Sequence, residues 1–323
     1  MKIAVITPIQ HIENLVDELS KCGDVTFMQI VDKRHVHHEL VTEKFDVIFT
    51  NPNEQRFMID ADLLHGTNVS IIVTASTGTN HIDVSFCRRN HIKIIALTHE
   101  LSVLEEITAT AEHAFCLMLC ALRHVIPANS SVKTSRQWTW QPFLGRQVRD
   151  LTVGVVGCGR LGKMMCKYCV SFGASVIVYD PHVDVASLGI NARHASSLEE
   201  LMRECDVVSL HVHVTPQTVS MINADILECA RNDAVIVNTS RSAIVDEDAI
   251  VDALRSHKLG HYAADVIDSE FTGVLARSKL LCLSDDLVTL TPHIGGATVG
   301  SQYTAYHHVV KMLQQHLLVE LET

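Results

Sequence analysis

The sequence predicts an α/β protein made of two doubly wound domains, each with a parallel β-sheet. Short strand-like apolar runs alternate with helical patterns along the chain, and this alternation occurs in two successive blocks. The runs are almost continuously apolar, which is typical of parallel strands that helices cover on both faces. A length of 323 residues also fits two domains, because one domain holds on the order of 150 residues.

Five strands are predicted in the first block and six in the second. The first five are expected at residues 3–7, 25–30, 46–50, 70–75 and 92–97. The later six are expected at residues 152–156, 175–179, 207–212, 234–238, 262–265 and 287–290. Neither a low-complexity tract nor a short-period repeat separates the two blocks.

The region between the blocks predicts a buried helix followed by an arm-like loop. Ser102 and Glu105 have the spacing of a capping box, which predicts a helix N-terminus at Ser102. Residues 108–123 are helix-forming and apolar on most faces, which favours burial between domains or between subunits. Trp138 and Trp140 lie in the loop 135–145. That loop either forms an oligomer contact or packs on its own domain.

Composition and charge exclude several classes of function. The formal net charge is −11, so nucleic acid and anionic membranes are not expected partners. The longest wholly apolar run, residues 114–122, is too short for a membrane span, which needs about 20 residues. The apolar stretch at the N-terminus is likewise too short for a signal peptide. Ten cysteines without framework spacing favour reduced thiols and a cytoplasmic location.

A glycine-rich turn in the second block predicts a dinucleotide-binding site. The predicted strand 152–156 is followed by Gly157-Cys158-Gly159-Arg160-Leu161-Gly162 and then by a helical pattern over residues 160–172. In this context, Gly157 allows the tight turn and Gly159 lets the backbone approach a pyrophosphate. Gly162 allows the helix and the strand to pack closely, and the helix N-terminus attracts the phosphate charge.

An acidic residue at the end of the next strand indicates which dinucleotide is bound. Asp180 follows the predicted strand 175–179 and lies 23 residues after Gly157. At that place a carboxylate accepts hydrogen bonds from the ribose hydroxyl groups. It would repel a 2′-phosphate, so the sequence favours NAD over NADP.

Three further segments bring reactive side chains to the carboxyl ends of predicted strands, where ligands bind in such sheets. Transfer of a hydride between NAD and a 2-oxo acid requires a cation for the carboxylate and a proton donor of near-neutral pKa. Arg241 suits the first task, because its guanidinium presents a planar fork of donors. His293 suits the second task. Glu270 suits a third, since a carboxylate beside the imidazole favours its charged form and fixes its orientation.

At these residues the chain resembles the D-isomer-specific 2-hydroxyacid dehydrogenase family, in a layout like phosphoglycerate dehydrogenases without their regulatory domain. The resemblance covers essentially the whole chain. The segments that carry it are the glycine turn, Asn238-Thr239-Ser240-Arg241, Asp265-Val266 with Glu270, and Thr291-Pro292-His293-Ile294-Gly295-Gly296-Ala297-Thr298. The resemblance implies that Arg241, Glu270 and His293 are the catalytic residues. It also implies that Asp265 binds the nicotinamide amide.

The same resemblance implies a substrate loop and further cofactor contacts. The loop Ala75-Ser76-Thr77-Gly78-Thr79 is similar to the segment whose main-chain N–H groups hold the substrate carboxylate in the family. Substrate contacts are therefore expected at Ser76, Thr77 and Gly78, together with Arg241 and His293. Further cofactor contacts are expected at Arg160, Leu161, His211, Val212, Thr239, Ser240, Gly295 and Gly296.

The resemblance also implies an architecture that periodicity does not reveal. A Rossmann-type NAD-binding domain, residues 101–299, would be inserted into a flavodoxin-like substrate domain formed by residues 1–100 and 300–323. The last helix would cover about residues 300–318 and the active site would lie in the cleft. The segment Thr110-Ala111-Glu112-His113 resembles the start of the helix that links the domains. Family members are commonly dimers, so we expect a homodimer.

Three residues depart from the family pattern. Ser242 stands where Gly usually follows the arginine, and Phe271 stands where Pro usually follows the glutamate. His213 replaces the proline of a common His-x-Pro segment. None of these changes removes a reacting group, so they bear on which acid is the substrate and leave the reaction class unchanged. A phosphorylated acid would need extra cations from a group comprising Lys33, Arg34, Arg56, Arg88, Arg89 and Lys93.

The expected function is an NAD-dependent oxidoreductase that interconverts a small D-2-hydroxy acid and its 2-oxo acid. One alternative is a regulatory protein that binds NAD(H), since the family also resembles co-repressors that bind a dinucleotide. Another is formate or phosphite oxidation, although formate dehydrogenases of this type usually carry Gln at the position of Glu270.

Two histidine groups and one cysteine pair are candidates for metal or redox sites. Each group would place two imidazoles on one side of a strand: one group is His35, His37 and His38, and the other is His211 and His213. A structural zinc site usually needs four ligands, and the sequence has no partner cluster at suitable spacing, so we expect no metal. Cys166 and Cys169 have redox-like spacing, but their place in the predicted helix favours apolar packing.

Overall fold

The structure is a computed structural model that describes residues 1–29, 32–51, 57–79, 81–268, 270 and 278–322, with side chains to residue 319. The described residues form two compact units. The first contains Met1–Ile107 and the residues from Gly296 onward, and the second contains Thr108–Glu270 and residues 278–295. The division into domains after residues 100 and 299 stays a prediction.

The first unit is built on a five-stranded parallel sheet. Its strands are β1 Lys2–Val5, β2 Asp24–Phe27, β3 Val47–Thr50, β4 Ile71–Thr74 and β5 Lys93–Ala96. They lie in the order β2-β1-β3-β4-β5, and every pairing is parallel. This order, 2-1-3-4-5, is that of flavodoxin-like doubly wound sheets.

Six helices belong to the first unit. They are α1 Leu15–Ser20, α2 Lys33–Glu43, α3 Ala61–Leu64, α4 Val84–Arg89, α5 Leu101–Glu106 and the C-terminal α12 Val299–Glu322. A short 3₁₀ helix covers Leu97–His99. Two apolar clusters form its core, one on each side of the sheet strands: Ile3 and Val5 belong to one cluster, while Ala4 and Ile6 belong to the other. This alternation follows from the pleat, which points successive side chains to opposite faces.

The second unit is built on a seven-stranded parallel sheet. Its strands are β6 Thr152–Val156, β7 Ser175–Tyr179, β8 Arg193–His194, β9 Val207–Leu210, β10 Ala234–Asn238, β11 Leu259–Ala264 and β12 Val288–Leu290. They lie in the order β12-β11-β10-β9-β6-β7-β8, again with parallel pairings throughout. Counted from β6, this order is 3-2-1-4-5-6 with one more strand at the edge, which is the Rossmann arrangement.

Helices cover both faces of the second sheet. The α-helices are α6 Ala109–Leu122, α7 Val125–Ser130, α8 Arg160–Ser171, α9 Leu198–Glu204, α10 Ala224–Cys229 and α11 Glu247–Arg255. Shorter turns cover Ser131–Ser135, Gln141–Phe143, Val148–Asp150, Val185–Leu188, Ser242–Ile244 and Lys279–Cys282. The fold class expected from the sequence, two doubly wound parallel-sheet units, is therefore confirmed.

Several local predictions were wrong. Residue Ser102 does not cap a helix, because α5 begins at Leu101 and its cap position is Glu100. Strand β8 was not predicted, because its two residues, Arg193 and His194, are exposed and lack an apolar signal. The prediction also placed His35, His37 and His38 on a strand, whereas they lie in α2.

The helix predicted in the linking region is buried, but against the sheet of its own unit, and the arm that follows it is exposed. Helix α6 buries Ala114, Leu117, Met118, Ala121 and Leu122 in one cluster with strands β6, β7, β9, β10 and β11. After it, Trp138 and Trp140 are 92% and 68% exposed. The arm therefore does not pack these rings on its own unit.

Two negative findings concern the described part of the chain. No single helix in it is both long and apolar enough to cross a membrane, and only the bent pair Leu101–Leu122 with Val125–Ser135 passes that test when taken together. No group of three His, Cys, Asp or Glu side chains in the described ranges is arranged to hold a metal ion.

Helix α12 completes the core of the first unit, and its two faces offer a matched test of that packing. It contacts α1, α5, β4 and β5. Leu313 is fully buried on this helix, whereas Leu318 is 62% exposed.

We expect Leu313→Ala to lower the free energy of unfolding by about 2–5 kcal/mol, because a buried leucine leaves a cavity. Leu318→Ala, on the same helix, should change it by less than about 0.5 kcal/mol. Urea denaturation followed by circular dichroism measures both variants. Equal effects of the two substitutions would contradict the placement of α12.

Candidate active site

The glycine turn joins β6 to α8 in the conformation that the sequence analysis expected. Gly157 has a φ of +86°, a region that favours glycine because a side chain there clashes with the backbone. A Cβ on Gly162 would overlap the carbonyl oxygen of Gly157. The turn can therefore close only with glycine at both positions. Arg160 and Leu161 open α8 and are half-buried.

Gly159 differs from its two neighbours, because a Cβ there would have no atom within 4 Å. The turn does not need glycine at this position in order to fold. An open face above exposed backbone at the start of a 12-residue helix is what a pyrophosphate requires for close approach. This observation supports a phosphate-binding turn.

Asp180 is anchored to the glycine turn from the end of β7. Its Oδ2 accepts a hydrogen bond of 2.7 Å from the main-chain N–H of Cys158. Its Oδ1 accepts one of 2.8 Å from the N–H of His182. A carboxylate has about four lone-pair directions, so acceptor positions remain for ribose hydroxyl groups.

Two polar atoms are left without partners at the neighbouring strand ends. His211 Nδ1 follows β9 and Thr239 Oγ1 follows β10, and neither has a hydrogen-bond partner among the described residues. The other ring nitrogen of His211 lies 2.9 Å from Ser209 Oγ. Burial lowers the pKa of His211 to about 4, so its ring is neutral at neutral pH. Shielded, unpaired polar atoms of this kind are explained by a polar ligand.

Arg241 stands at the end of a turn that Asn238 organises. The Asn238 side chain donates to the main-chain oxygen of Arg241 at 3.0 Å and accepts from Ser240 N at 3.0 Å. Ser240 Oγ donates to Leu210 O at 2.7 Å, which ties this turn to β9. Burial lowers the pKa of Arg241, while the charge of nearby Glu270 raises it. The guanidinium still stays charged, since arginine is not deprotonated in proteins.

His293 and Glu270, the predicted proton donor and its carboxylate, lie together. His293 Nδ1 and Glu270 Oε2 are 2.9 Å apart, and their side chains are 20% and 14% exposed. His293 has a φ of +56°, which is uncommon for a residue with a side chain. The surrounding hydrogen bonds must therefore hold this backbone in place.

Asp265 supplies those hydrogen bonds from the end of β11. Its Oδ1 accepts from Thr291 Oγ1 at 2.6 Å and from Ile294 N at 2.8 Å, and its Oδ2 accepts from Gly295 N at 2.7 Å. Its main-chain oxygen accepts from His293 N at 3.0 Å. Burial alone would raise the pKa of Asp265, but the hydrogen bonds outweigh it and hold the pKa below its usual value.

One member of this site, His113 of α6, is not predicted from the sequence. Its Nε2 lies 2.9 Å from Thr291 Oγ1 and 3.4 Å from Asp265 Oδ1. Its segment was seen only as the start of a linking helix. A contact across more than 150 residues leaves no signal in local spacing.

The remaining predicted cofactor residues occupy the same unit, with one exception. Val212 is half-buried, and its Cγ1 lies 2.7 Å from where a Cβ on Gly157 would stand. Gly295 lies against the Asp265 carboxylate, where a Cβ would come within 3.0 Å of Oδ2. Gly296 belongs to the first unit.

The predicted substrate loop follows β4 in the first unit. Ser76 Oγ donates to the main-chain oxygen of Gly78 at 2.5 Å. The main-chain oxygen of Thr77 accepts from Thr98 Oγ1 at 2.9 Å. These bonds hold the loop through its carbonyl groups and hydroxyls.

Of the three departures from the family pattern, two can be placed. Ser242 is not among the residues with positive φ, so its backbone does not need glycine. His213 is exposed, and its main-chain oxygen accepts from Thr218 Oγ1 at 2.6 Å. Phe271 lies outside the described residues, as does Arg56 among the candidate phosphate ligands. Lys33, another of those candidates, is paired with Asp60.

The cysteine pair of α8 is part of the core. Cys166 and Cys169 are fully buried in the cluster between α6 and the sheet. The hydrogen bond with the thiol of Cys158, together with burial, raises the pKa of Cys166, and burial raises the pKa of Cys169 to about 12. Both stay protonated and unreactive at neutral pH, as expected for apolar packing.

Comparisons with known proteins agree with this geometry. Residues 115–295 match the NAD-binding domain of the D-isomer-specific 2-hydroxyacid dehydrogenases. D-3-phosphoglycerate dehydrogenase of Synechocystis is 33% identical over 253 residues, which are 78% of this chain and 44% of that protein. Hydroxypyruvate reductase of Thermotoga maritima is 32% identical over 245 residues, 76% of each chain.

Solved structures show the same likeness over the whole chain. D-Lactate dehydrogenase of Aquifex aeolicus, in complex with NAD and lactic acid, has a TM-score of 0.82 and 26% identity, and the match covers 100% of this chain and 97% of that one. The chain spans about half the length of the curated phosphoglycerate dehydrogenases it matches. The family's NAD-binding domain matches more than half of this chain, and the hydroxypyruvate reductase matches three quarters of both proteins. This chain therefore belongs to the D-isomer-specific 2-hydroxyacid dehydrogenase family.

Proposed function

We propose that the protein is an NAD-dependent oxidoreductase that interconverts a small D-2-hydroxy acid and its 2-oxo acid. The observation that carries this proposal is the hydrogen-bonded pair of His293 and Glu270, 2.9 Å apart, in the unit that contains half-buried Arg241 and the glycine turn. These groups supply one proton donor, one partner carboxylate and one fixed cation. That set is what reduction of a 2-oxo acid requires.

The polar groups at the strand ends fit a dinucleotide. The open backbone at Gly159 suits the pyrophosphate, and Asp180 keeps acceptor positions for ribose hydroxyl groups. The unpaired His211 Nδ1 and Thr239 Oγ1 suit further polar contacts with the cofactor. When bound, the nicotinamide ring supplies the hydride acceptor or donor. Asp265 has one oxygen, Oδ2, with a single internal hydrogen bond from Gly295, and this oxygen would bind the amide.

Arg241 would bind the substrate carboxylate and polarise the C2 carbonyl group. Its burial strengthens this effect, because charge interactions are stronger in a low-dielectric site. The main-chain N–H groups of Ser76, Thr77 and Gly78 are proposed to bind a substrate carboxylate. This second assignment is supported by the resemblance of the loop to the family motif.

His293 would move the proton. Because Nδ1 faces Glu270, the proton is exchanged with the substrate oxygen at Nε2. In the reductive direction the imidazolium donates this proton as C2 is reduced, and the Glu270 carboxylate stabilises the charged ring before transfer. In the oxidative direction the neutral ring accepts the proton from the hydroxyl group.

His293→Ala should lower kcat by about 10²- to 10⁴-fold, because it removes the general acid. Its dissociation constant for NADH should stay within about threefold, since NADH need not contact the imidazole for affinity. The measurement is NADH oxidation at 340 nm with glyoxylate, pyruvate, hydroxypyruvate, branched 2-oxo acids and a phosphorylated 2-oxo acid, beside NADH fluorescence titration. NADPH serves as the matched control cofactor. Wild-type NADH binding without turnover on any acid would favour the regulatory, NAD-binding alternative.

Gly159→Ala should leave folding intact but weaken NADH binding by about tenfold or more. A Cβ has open space there in the free protein, whereas a bound pyrophosphate must approach that backbone closely. Titration of intrinsic fluorescence with NADH measures binding, and thermal unfolding measures stability. Gly300→Ala is the control, because a Cβ there also meets no atom within 4 Å. Unchanged NADH affinity in Gly159→Ala would contradict the assigned role of the turn.

We also propose that the protein is a cytoplasmic homodimer. The ten cysteines are all free, which suits a reducing compartment. Trp138, Trp140 and Leu144 are 92%, 68% and 74% exposed on the arm, and large apolar side chains exposed together are typical of interfaces.

The double substitution Trp138→Ser and Trp140→Ser should increase the monomer fraction, because it removes apolar area from the contact. Light scattering coupled to size-exclusion chromatography measures the mass. Phe172→Ser, also exposed but outside the arm, is the control. A wild-type protein with the mass of one chain would overturn the dimer proposal.

A further inference from the structure

His113 on α6 is joined to the candidate active site by two contacts. Its Nε2 lies 2.9 Å from Thr291 Oγ1 and 3.4 Å from Asp265 Oδ1. The side chains of His113 and Asp265 are 16% and 2% exposed, so water competes little with these contacts. Helix α6 therefore reaches the end of β11 and the residue after β12 through one imidazole.

The direction of these hydrogen bonds follows from the number of protons present. Thr291 has one hydroxyl proton, and it goes to Asp265 Oδ1 at 2.6 Å because an ionised carboxylate only accepts. Thr291 Oγ1 must then accept from His113. The Nε2 of His113 is consequently the protonated nitrogen, and the order of donation is His113 to Thr291 to Asp265.

The Asp265 carboxylate at the end of this chain holds the segment that carries His293. It accepts from the N–H groups of Ile294 and Gly295, which directly follow His293. The φ of His293 is +56°, so its backbone depends on such bonds. A change in the place of the carboxylate would therefore be transmitted to the imidazole that faces Glu270.

We propose that His113 is a positioning residue: by donating Nε2–H to Thr291, which in turn donates to Asp265, it fixes the backbone on which His293 stands. This inference rests on the proposed function for its effect on turnover, but the placement of His293 can be measured without turnover. His113 does not touch the reacting atoms in this assignment. It acts through Thr291 and Asp265.

The first test compares two substitutions of His113. His113→Leu removes the donor and should lower kcat by about 10- to 100-fold, because small misplacement of a reacting group has effects of this size. KM should change less than kcat. His113→Gln retains an N–H donor on an uncharged side chain and should recover kcat to within about fivefold of the wild type. Equal losses in the two variants would overturn the proposed donor role.

The second test asks whether His113 and Thr291 act as one unit. Thr291→Val should lower kcat, and the double variant with His113→Leu should lose no more than the larger single effect. Such non-additivity is expected only for groups that are coupled. Losses that multiply in the double variant would show that the two residues act independently and would overturn the proposal.

The chain contains a matched control two residues away on the same strand segment. His261 Nε2 lies 2.9 Å from Thr289 Oγ1, and His261 is 5% exposed. The described side-chain hydrogen bonds of Asp265 come from Thr291, Ile294 and Gly295 and do not involve this pair. His261→Leu and Thr289→Val remove the same kind of buried hydrogen bond. They should lower the unfolding temperature and leave kcat within about threefold of the wild type. A loss of kcat equal to that of His113→Leu would indicate a general effect of core polarity.

A spectroscopic readout separates this inference from the proposed function. Nitrogen-15 NMR of the imidazole rings, with His293→Ala for assignment, reports the tautomer and environment of His293 in the protein without substrate. The His293 signals should shift or broaden in His113→Leu and stay unchanged in His261→Leu. Unchanged His293 signals in His113→Leu would overturn the positioning role. Absent turnover by the wild type together with shifted signals would instead reject the proposed function and retain the positioning role.

Discussion

The candidate site depends on one buried carboxylate, that of Asp265. A charge that is 2% exposed must be matched by hydrogen-bond donors, and here those donors come from a neighbouring segment of the chain. Satisfying the carboxylate therefore also fixes the fold of residues 291–295. The same requirement holds the backbone of His293 at its positive φ and brings α6 into contact through His113. Because the buried carboxylate requires these donors, it also determines where the His293 imidazole stands.

The parallel sheet explains why residues so distant in sequence converge on this carboxylate. All strands of the second sheet point the same way, so their carboxyl ends meet at one edge. Five residues of the candidate site directly follow the adjacent strands β6, β9, β10, β11 and β12: they are Gly157, His211, Thr239, Asp265 and Thr291. The strand order places the glycine turn beside the unpaired atoms His211 Nδ1 and Thr239 Oγ1. It places those atoms in turn beside Arg241 and Asp265. This is the general location of ligands in open α/β sheets, reached here through a specific set of side chains.

Apolar runs in the sequence predicted every described strand except β8, including β2, which is largely exposed. They missed β8, which consists of exposed Arg193 and His194, and they began β11 late because Gly260 and His261 interrupt the apolar run. The turn chemistry of Gly157 and Gly162 was readable, since each glycine answers a local steric need. The capping box at Ser102 misled, since α5 begins one residue earlier, at Leu101. The pairing of Asp265 with His113 was not readable, because only the folded sheet and helix bring them together.

The anchoring of Asp180 has a consequence for attempts to change the cofactor. Replacement of an acidic residue at this position by a neutral or basic one is the natural route toward a phosphorylated dinucleotide. In this chain the carboxylate also accepts the main-chain N–H of Cys158 at 2.7 Å, inside the turn that approaches the pyrophosphate. Removing the carboxylate would relieve the repulsion of a 2′-phosphate. It would also remove a hydrogen bond that holds the turn and would therefore weaken binding of the pyrophosphate. Substitution by asparagine keeps a side-chain oxygen and so preserves that acceptor. The positive charge needed to bind the added phosphate is better introduced at a different position.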